Sequence, residues 1–267
     1  MQAETQARYE QLLACLRAYC SVAVAFSAGV DSTLLLFAAH EALGQRALAI
    51  TGRSPSMPPA ALREAAGFCA EYGIEHLVID THEFEVEGFE HNPRNRCYLC
   101  KRELLGCCTR VARARGIARV LEGSNASDAQ LHRPGFAAVR ELDVASPLMQ
   151  LGFSKADVRA TARALGLAAW DKPSAACLNS RFEYGAHLTR QALAQVDAAE
   201  EAIRALGFTQ VRVRVRGEEA SIEVDPTELT RLQQPATTAA ATRALHELGF
   251  SQVCIDERGY RTGAMDE

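Results

Sequence analysis

Residues 25–36, AFSAGVDSTLLL, place small and hydroxyl-bearing residues directly after a short apolar run. Ser27 and Ser32 can donate hydrogen bonds from their hydroxyl groups, and Gly29 lets a ligand approach the backbone closely. Where a strand ends in such a turn and a helix begins, the helix N–H groups and dipole favour an anion. Asp31 beside an anion is best explained as a ligand of Mg²⁺. The segment predicts a phosphate-binding turn, and the alternative is an ordinary capped helix.

Cysteine spacing indicates a second chemistry. Cys97 and Cys100 form a C-x-x-C pair, and Cys177 lies in a loop rich in proline and small residues. Spacing alone leaves a four-ligand zinc site, a redox pair, no function, or a three-cysteine iron–sulfur site with one iron left open. We expect the six remaining cysteines to pack as small apolar side chains. They are Cys15, Cys20, Cys69, Cys107, Cys108 and Cys254.

Further nucleotide-side candidates follow two other predicted strands. Ser54 lies in the string GRSPSMP, at the carboxyl end of a strand, where an open α/β sheet binds ligands. Gly123 and Asn125 lie in EGSNASD, which is followed by Arg-Pro-Gly at 133–135. Each string alone is an ordinary turn sequence. Their combination in this order supports a nucleotide site.

Arginines supply candidate anchors for a phosphate. Arg212, Arg214 and Arg216 alternate along VRVRVR and therefore lie on one face of a strand. The planar guanidinium can bind phosphate bidentately, and the alternative is a solvated strand face. Ser180 and Arg181, just after the loop cysteine, are further candidates.

Two glutamates, Glu200 and Glu223, are weaker candidates for acid–base or metal roles, because exposed glutamates are common. The histidines show no spacing typical of metal ligands. We interpret them as structural or surface residues.

Apolar periodicity predicts the elements that position these residues. Strands are predicted at 22–26, 47–51, 76–80 and 120–123, and helices at 7–20, from about 31, 59–72, 99–115 and 154–166. Their order predicts an α/β fold, a doubly wound parallel sheet with right-handed crossovers. Later residues predict helices at 191–206 and 227–248 and strands at 211–216, 221–224 and 253–256. We therefore predict one domain at 1–184 and a smaller C-terminal α+β domain at 185–267, for substrate binding or oligomerisation.

Composition excludes several protein classes. Among 267 residues, 48% are hydrophobic and 23% are charged, which excludes a disordered or fibrous chain. The net charge of −4 argues against a generally basic nucleic-acid binder. The polar N-terminus and the short apolar runs favour a cytoplasmic protein with reduced thiols and no membrane segment.

Two resemblances add to this reading. The S-x-G-x-D-S turn resembles the SGGxDS loop of PP-loop ATP pyrophosphatases, with Ala28 in place of the first glycine. The strings RCYLCK, RELDVASPL, DKPSAACLNSR, FEYGAHLT and GYRTGAMDE are similar to the LarE family over nearly the whole chain. These ATP-dependent sulfur transferases make the pyridinium-3,5-bisthiocarboxylic acid mononucleotide part of the nickel-pincer nucleotide cofactor of lactate racemase.

The LarE resemblance implies a PP-loop fold that uses ATP and Mg²⁺ to adenylate the carboxylates of pyridinium-3,5-biscarboxylic acid mononucleotide. Cys177 matches the sulfur-bearing cysteine, which in one branch gives up its own sulfur and becomes dehydroalanine. A second branch, which this chain resembles more closely, holds a [4Fe-4S] cluster on Cys97, Cys100 and Cys177, with a replaceable sulfide on the open iron. Arg212 and Arg214 match the phosphate-binding pair.

The implied partners are a small mononucleotide, other proteins of nickel-pincer biosynthesis and further copies of the chain, with no nucleic acid. Three alternatives stay open: a PP-loop enzyme that thiolates tRNA, an amide-forming synthetase that converts ATP to AMP, and a nucleotide-binding regulatory module without turnover. The negative net charge weighs against the tRNA enzyme.

Overall fold

The computed structural model describes residues 2–130, 134–173 and 176–261. Arg133 and parts of the strings DKPSAACLNSR and GYRTGAMDE lie outside the described residues. The chain divides into two units: Met1–Val86 with Asn95–Ala175, and Glu87–Arg94 with Ala176–Glu267.

The first unit contains a parallel sheet with the strand order β3-β2-β1-β4. Its strands are β1 (Val22–Ala25), β2 (Ala47–Arg53), β3 (Glu75–Asp80) and β4 (Arg119–Leu121). Its helices are α1 (Ala3–Arg17), α2 (Val30–Leu43), α3 (Pro59–Tyr72), α4 (Arg96–Ala114), α5 (Gly135–Glu141), α6 (Pro147–Gln150) and α7 (Lys155–Ala164). The predicted doubly wound α/β fold is confirmed.

Helices cover both faces of this sheet because alternate residues of a strand point to opposite sides. Val22 and Val24 of β1 belong to one apolar cluster, together with residues of α1, α2 and α7. Ala23 belongs to a second cluster with residues of α4. The strand is therefore buried on both faces, as its uninterrupted apolar sequence predicts.

The second unit is built on a three-stranded sheet with the order β5-β6-β7. In it β5 (Val211–Arg216) and β6 (Glu219–Val224) form the predicted antiparallel pair, and β7 (Gln252–Ile255) runs parallel to β6. The helices are α8 (Arg190–Ala205), α9 (Leu229–Leu232) and α10 (Pro235–Glu247).

The predicted single helix at 227–248 is wrong. The chain leaves the helix at Gln234, which is extended, and Pro235 begins α10. Proline has no N–H to continue the ladder of an earlier helix, and its restricted φ favours the first position of a new one.

The second unit also begins earlier than the predicted boundary at 184/185, and it takes in Glu87–Arg94. Asn92 explains both differences: its Nδ2 donates to the carbonyls of Phe182 and Glu183 at 3.0 and 2.7 Å. The Asn92 carbonyl also accepts from the N–H of Gly185 at 3.2 Å. These bonds join sequence-distant segments that local patterns do not connect.

None of the helices formed by the described residues has the length and apolar composition that crossing a bilayer requires.

Replacing Asn92 by Ala should lower the free energy of unfolding by about 2 kcal/mol, because two carbonyls lose their donor in a buried site. Asparagine also tolerates the left-handed φ of 45° found here better than alanine does. Urea unfolding measures the change, with Asn95→Ala as the exposed control. Equal stability of both variants would contradict this role.

Candidate functional site

The turn between β1 and α2 is held by its own hydroxyl groups. The Ser32 hydroxyl donates to the Gly29 carbonyl at 3.1 Å and accepts from the Ser27 N–H at 3.3 Å. The Ser27 and Ser32 hydroxyl oxygens lie 3.2 Å apart. Sequence analysis placed these three residues in one site, and the structure brings them together.

The start of α2 has Gly29 as its N-cap, and no side chain among the described residues caps it. Ser154 and Thr189 cap α7 and α8, but among the same residues α1 and α4 also lack a side-chain cap. The small residues at 27–29, and not the missing cap alone, therefore make this helix start a candidate anion site. Helix N–H groups without an internal partner need an acceptor, and an anion at this end also benefits from the helix dipole.

The backbone at Ala28 adopts a conformation that favours glycine, the residue that the resembling PP-loop sequences have at this position. Its φ is +55°, in the left-handed region, and the residue is 5% exposed. An L-residue is strained there because its Cβ approaches the following carbonyl oxygen. Alanine keeps the turn at a cost that glycine would avoid.

Asp31 and the loop after β4 meet at this turn. Asn125, which is 1% exposed, donates from Nδ2 to Asp31 Oδ1 at 2.9 Å. A methyl group on Gly123 would lie 2.9 Å from the backbone nitrogen of Ser32, closer than a real Cβ allows. Glycine at 123 therefore permits the close approach that brings Asn125 to Asp31.

Ser54 follows β2 directly, at the edge where the parallel strands end. Its hydroxyl accepts from the N–H of Ser56 at 3.2 Å, which orders the local turn. The Ser56 hydroxyl is buried and has no hydrogen-bond partner among the described residues. The sequence pattern indicated Ser54 as a nucleotide-site residue and gave no sign of Ser56.

Two lysines contact this turn, and no sequence pattern predicted either contact. Lys155 donates to Asp31 Oδ2, and Lys172 donates to the Ala28 carbonyl at 3.1 Å. Their partners lie over a hundred residues away in sequence, so no local pattern reveals them. The composition held a signal, since only three of the 29 basic residues are lysines.

The third lysine, Lys101, neutralises a buried carboxylate. Its Nζ donates to Glu122 at 2.8 Å, and Ser124 and Ser146 donate their hydroxyls to the same carboxylate. Burial alone would raise the pKa of Glu122, but the Lys101 charge and these hydrogen bonds outweigh it and lower that pKa. An ionised Glu122 thus ties α4 to the start of the loop that contains Gly123.

Cys97 and Cys100 lie within a helix rather than before one. α4 begins at Arg96, ahead of the predicted start at 99, so Cys97 lies in its first turn and Cys100 about one turn later. Residues three apart lie on one side of a helix. Cys97 is exposed and Cys100 half-buried.

Cys177 belongs to the second unit, and it is half-buried. Within residues 2–130, 134–173 and 176–261, no three His, Cys, Asp or Glu residues are grouped so as to hold a metal ion. The three-cysteine site therefore stays a prediction.

Of the other six cysteines, three pack as predicted. Cys69, Cys107 and Cys108 are buried, and burial raises their thiol pKa values to about 11, 11 and 12. Such thiols form little thiolate at neutral pH. The packing prediction is wrong for Cys20, in the turn after α1, and for Cys254 in the edge strand β7, because both are exposed. The sixth, Cys15 in α1, is half-buried.

Arg181 holds the backbone around Cys177. Its Nη1 donates to the carbonyls of Ala176 and Cys177 and to the Ser180 hydroxyl, each at 2.9 Å. Its Nε and Nη2 donate to the two oxygens of Glu200 at 2.7 and 2.9 Å. The Arg181 and Glu200 side chains are 2% and 0% exposed.

Glu200 is the buried anion that this arrangement needs. It also accepts from Arg204 at 2.9 Å and from the Val213 N–H at 3.2 Å. Burial alone would raise the pKa of Glu200, but the hydrogen bond and charge of Arg181 outweigh it, with further charges from Arg212 and Arg204, and lower that pKa.

Arg212 and Arg214 of β5 are not on a solvated face, whereas Arg216 is exposed. Arg212 is 7% exposed, lies over the ring of Tyr260 at 5.1 Å and donates to the Val211 carbonyl at 2.7 Å. Arg214 pairs with Glu223 and donates to the Ser180 carbonyl at 3.1 Å. The structure therefore links Arg214 to the segment that contains Cys177, within the second unit.

Glu223 lies at a polar pocket of about 150 Å³ beside one face of the second sheet. Four arginines and two further carboxylates also line this pocket: Arg214, Arg216, Arg258, Arg261, Glu219 and Asp256. Glu223 is 3% exposed, and its Oε2 has no hydrogen-bond partner among the described residues. The pocket thus offers cationic donors together with one buried acceptor.

Replacing Ala28 by Gly should change the free energy of unfolding by less than about 1 kcal/mol, because relief of strain offsets the added freedom of the unfolded chain. Ala28→Val should lower it by about 2 kcal/mol or more, since a β-branched residue is poorly accommodated at positive φ. Urea unfolding measures both. A stable Ala28→Val variant would contradict the left-handed turn.

Replacing Arg181 by Lys should lower the free energy of unfolding by about 2–3 kcal/mol at neutral pH, because a buried carboxylate loses its bidentate partner. Backbone amide hydrogen exchange should speed up around Cys177, since a lysine at 181 cannot reach the carbonyls of both Ala176 and Cys177. The matched control is Arg216→Lys, which alters an ion pair that is 73% and 59% exposed.

The lowered pKa of Glu200 predicts how the stability of the protein changes with pH. The ionised Glu200 carboxylate should contribute fully to the free energy of unfolding above the ordinary glutamate pKa of about 4.3. This contribution should be lost as the pH falls through the lower pKa of the folded state. The Arg181→Lys deficit should therefore shrink in acid. A deficit that is independent of pH would contradict the ion pair.

No protein-family model matches the chain. It is 40% identical over 243 residues to an uncharacterised protein of Synechocystis sp., covering 91% of both chains. It is 34% identical over 257 residues to the pyridinium-3,5-bisthiocarboxylic acid mononucleotide synthase of Lactiplantibacillus plantarum, covering 96% of this chain and 92% of that protein. A protein of Methanocaldococcus jannaschii is 26% identical over 241 residues. The chain therefore belongs to the family of the pyridinium-3,5-bisthiocarboxylic acid mononucleotide synthase, the LarE family.

Proposed function

We propose that this chain is an ATP-dependent sulfur transferase that acts on pyridinium-3,5-biscarboxylic acid mononucleotide. It adenylates the carboxylates and replaces an oxygen by sulfur, for the nickel-pincer nucleotide that matures lactate racemase. The observation that carries this proposal is the likeness over 96% of the chain to a synthase named for the bisthiocarboxylate product. The turn at the start of α2 supports the use of ATP.

The first step solves the poor reactivity of a carboxylate. A carboxylate oxygen attacks the α-phosphorus of ATP, and the bond from that phosphorus to the pyrophosphate oxygen breaks. The hydroxyls of Ser27 and Ser32 and the N-terminus of α2 bind the phosphates and stabilise the charge on the departing pyrophosphate. The products are an acyl adenylate and pyrophosphate.

Asp31 fits the role of magnesium ligand in this step. Its carboxylate side chain is 22% exposed and lies in the first turn of α2. One carboxylate together with substrate phosphates is a typical set of Mg²⁺ ligands. Bound Mg²⁺ would neutralise phosphate charge, and Asn125 would keep Asp31 oriented.

The second step forms the carbon–sulfur bond. A sulfur nucleophile attacks the acyl carbon, and the carbon–oxygen bond to AMP breaks, so that AMP leaves with the electron pair. We place the sulfur source at Cys177 by one of two routes. Either its own Sγ forms the new bond and its bond to Cβ then breaks by elimination, which leaves dehydroalanine, or a cluster that Cys177 would help to hold supplies a sulfide. Arg181 positions Cys177 by holding two backbone carbonyls, with Glu200 behind Arg181. Glu200 thus acts through Arg181 rather than on the substrate.

The donor set also fits a [4Fe-4S] cluster with Cys97, Cys100 and Cys177 as ligands. None of these three cysteines is buried, unlike the packed cysteines of the first unit. The first two lie about one helical turn apart, a spacing that suits thiolate ligands of one cluster. A bound cluster with three protein ligands would supply a replaceable sulfide on its fourth iron.

The pocket beside Glu223 is our candidate for the phosphate and ribose of the mononucleotide. Arg214 lines it, whereas Arg212, two positions earlier on β5, lies over the ring of Tyr260. The Glu223 oxygen that lacks a partner within the described part of the chain is suited to accept a hydrogen bond from a sugar hydroxyl. We further propose a cytoplasmic homo-oligomer that works with other proteins of nickel-pincer biosynthesis.

The test is anaerobic reconstitution with iron and sulfide, followed by assay with ATP, Mg²⁺ and the biscarboxylated mononucleotide. We expect AMP, pyrophosphate and a thiocarboxylate detected by mass spectrometry. Cys177→Ala should still release pyrophosphate in a single turnover and lose the thiocarboxylate, because only the second step needs sulfur. Cys20→Ala, an exposed cysteine outside the site, is the matched control.

Two results would contradict the proposal. Absence of both AMP and thiocarboxylate from the reconstituted wild type would exclude this reaction. An amide formed from ammonia by Cys177→Ala at the wild-type rate would favour the amide-forming synthetase.

A further inference from the structure

The three lysines are an outlier in the composition, and all of them lie in the first unit. Lys and Arg together number 29, and only Lys101, Lys155 and Lys172 are lysines. Two of the three contact the turn that begins α2, through Asp31 and through the Ala28 carbonyl. A residue type that is avoided elsewhere is thus concentrated around one anion site.

We propose that Lys155 and Lys172 bind the phosphate chain of the nucleotide at the start of α2. The inference rests on the proposed use of ATP and adds the groups that select a triphosphate. Both ammonium groups lie against residues of the 27–32 turn and face the positive end of a helix dipole. A polyanion is the ligand that such a concentration of positive charge favours.

Folding stability does not explain the two lysines. The side chains of Lys155 and Asp31 are 33% and 22% exposed, and those of Lys172 and its partner Glu64 are 27% and 51% exposed. Ion pairs with this much solvent access contribute little to stability.

Lys101 differs from these two lysines because its partner is buried. Glu122 is 6% exposed and needs a permanent counter-charge.

The choice of lysine over arginine fits a group that changes partners. Arginine holds a fixed bidentate partner, whereas lysine carries a compact charge on a flexible stem and follows a phosphate as a point charge. Lys155 now lies on an oxygen of Asp31, the residue that we propose binds Mg²⁺. Metal binding at Asp31 would release this ammonium to the phosphates.

The experiment is calorimetric titration of the full chain with MgATP and, separately, with AMP. Lys155→Met and Lys172→Met should each weaken MgATP binding about tenfold. AMP binding should change by less than about threefold, because AMP lacks the β and γ phosphates. Arg163→Met is the matched control: it removes a positive charge from the same helix as Lys155, and its guanidinium lies over Trp170 at 4.6 Å.

The outcomes separate this inference from the function on which it rests. If the wild type binds MgATP and both methionine variants bind it equally well, the lysine assignment is overturned and ATP use stands. If the wild type binds no MgATP, the proposed function fails and the assignment fails with it. Should a methionine variant not fold, Lys155→Gln and Lys172→Gln remove the charge and keep a polar side chain. We expect these to bind MgATP more weakly than the wild type, and wild-type affinity in both would overturn the assignment.

Discussion

The N-terminus of α2 is the constraint on which the layout of the first unit depends. The first N–H groups of a helix cannot be paired within it, and here the N-cap is a glycine with no side chain to satisfy them. The residues around this helix start are small: Ser27, Ala28 and Gly29 precede it, and a Cβ on Gly123 would lie 2.9 Å from the Ser32 nitrogen. The strain at Ala28 and the close approach at Gly123 both follow from keeping larger side chains away from the start of α2.

Buried glutamates fix the segments around the candidate sites. Glu122 with Lys101 ties α4 to the loop after β4, and Glu200 with Arg181 ties α8 to the segment after Cys177. Buried ion pairs are expensive to desolvate and add little net stability, but they tolerate few alternative geometries. Here the two carboxylates fix the positions of neighbouring segments, because each accepts hydrogen bonds from donors in several parts of the same unit.

Local sequence patterns predicted most of the elements and few of the contacts. Apolar alternation or periodicity was enough for α3 and β5, whose observed bounds match the prediction. The start of α4 was predicted three residues late, because Asn95 and Arg96 carry no apolar repeat that would mark it. The boundary between units depends on Asn92, which bonds to residues about ninety positions away, beyond the reach of any local pattern.

The candidate site shows the same division. The residues of the 27–32 turn are adjacent in sequence, and their chemistry could be inferred from type and spacing. The contact of Lys155 with Asp31 and the burial of Glu200 depend on packing between distant elements. Residue type alone suggested an acid–base role for Glu200, and it could not reveal that this carboxylate is buried and paired with Arg181.

The uneven solvent access of the cysteines affects how the protein must be handled. Exposed thiols on separate molecules couple to each other in air, and Cys20, Cys97 and Cys254 are exposed. Serine at 20 and 254 would leave Cys97 as the exposed thiol through which two chains could couple. A thiol titration of that variant would then report on Cys97, Cys100 and Cys177 together with half-buried Cys15, since the buried thiols of the first unit are shielded from reagents.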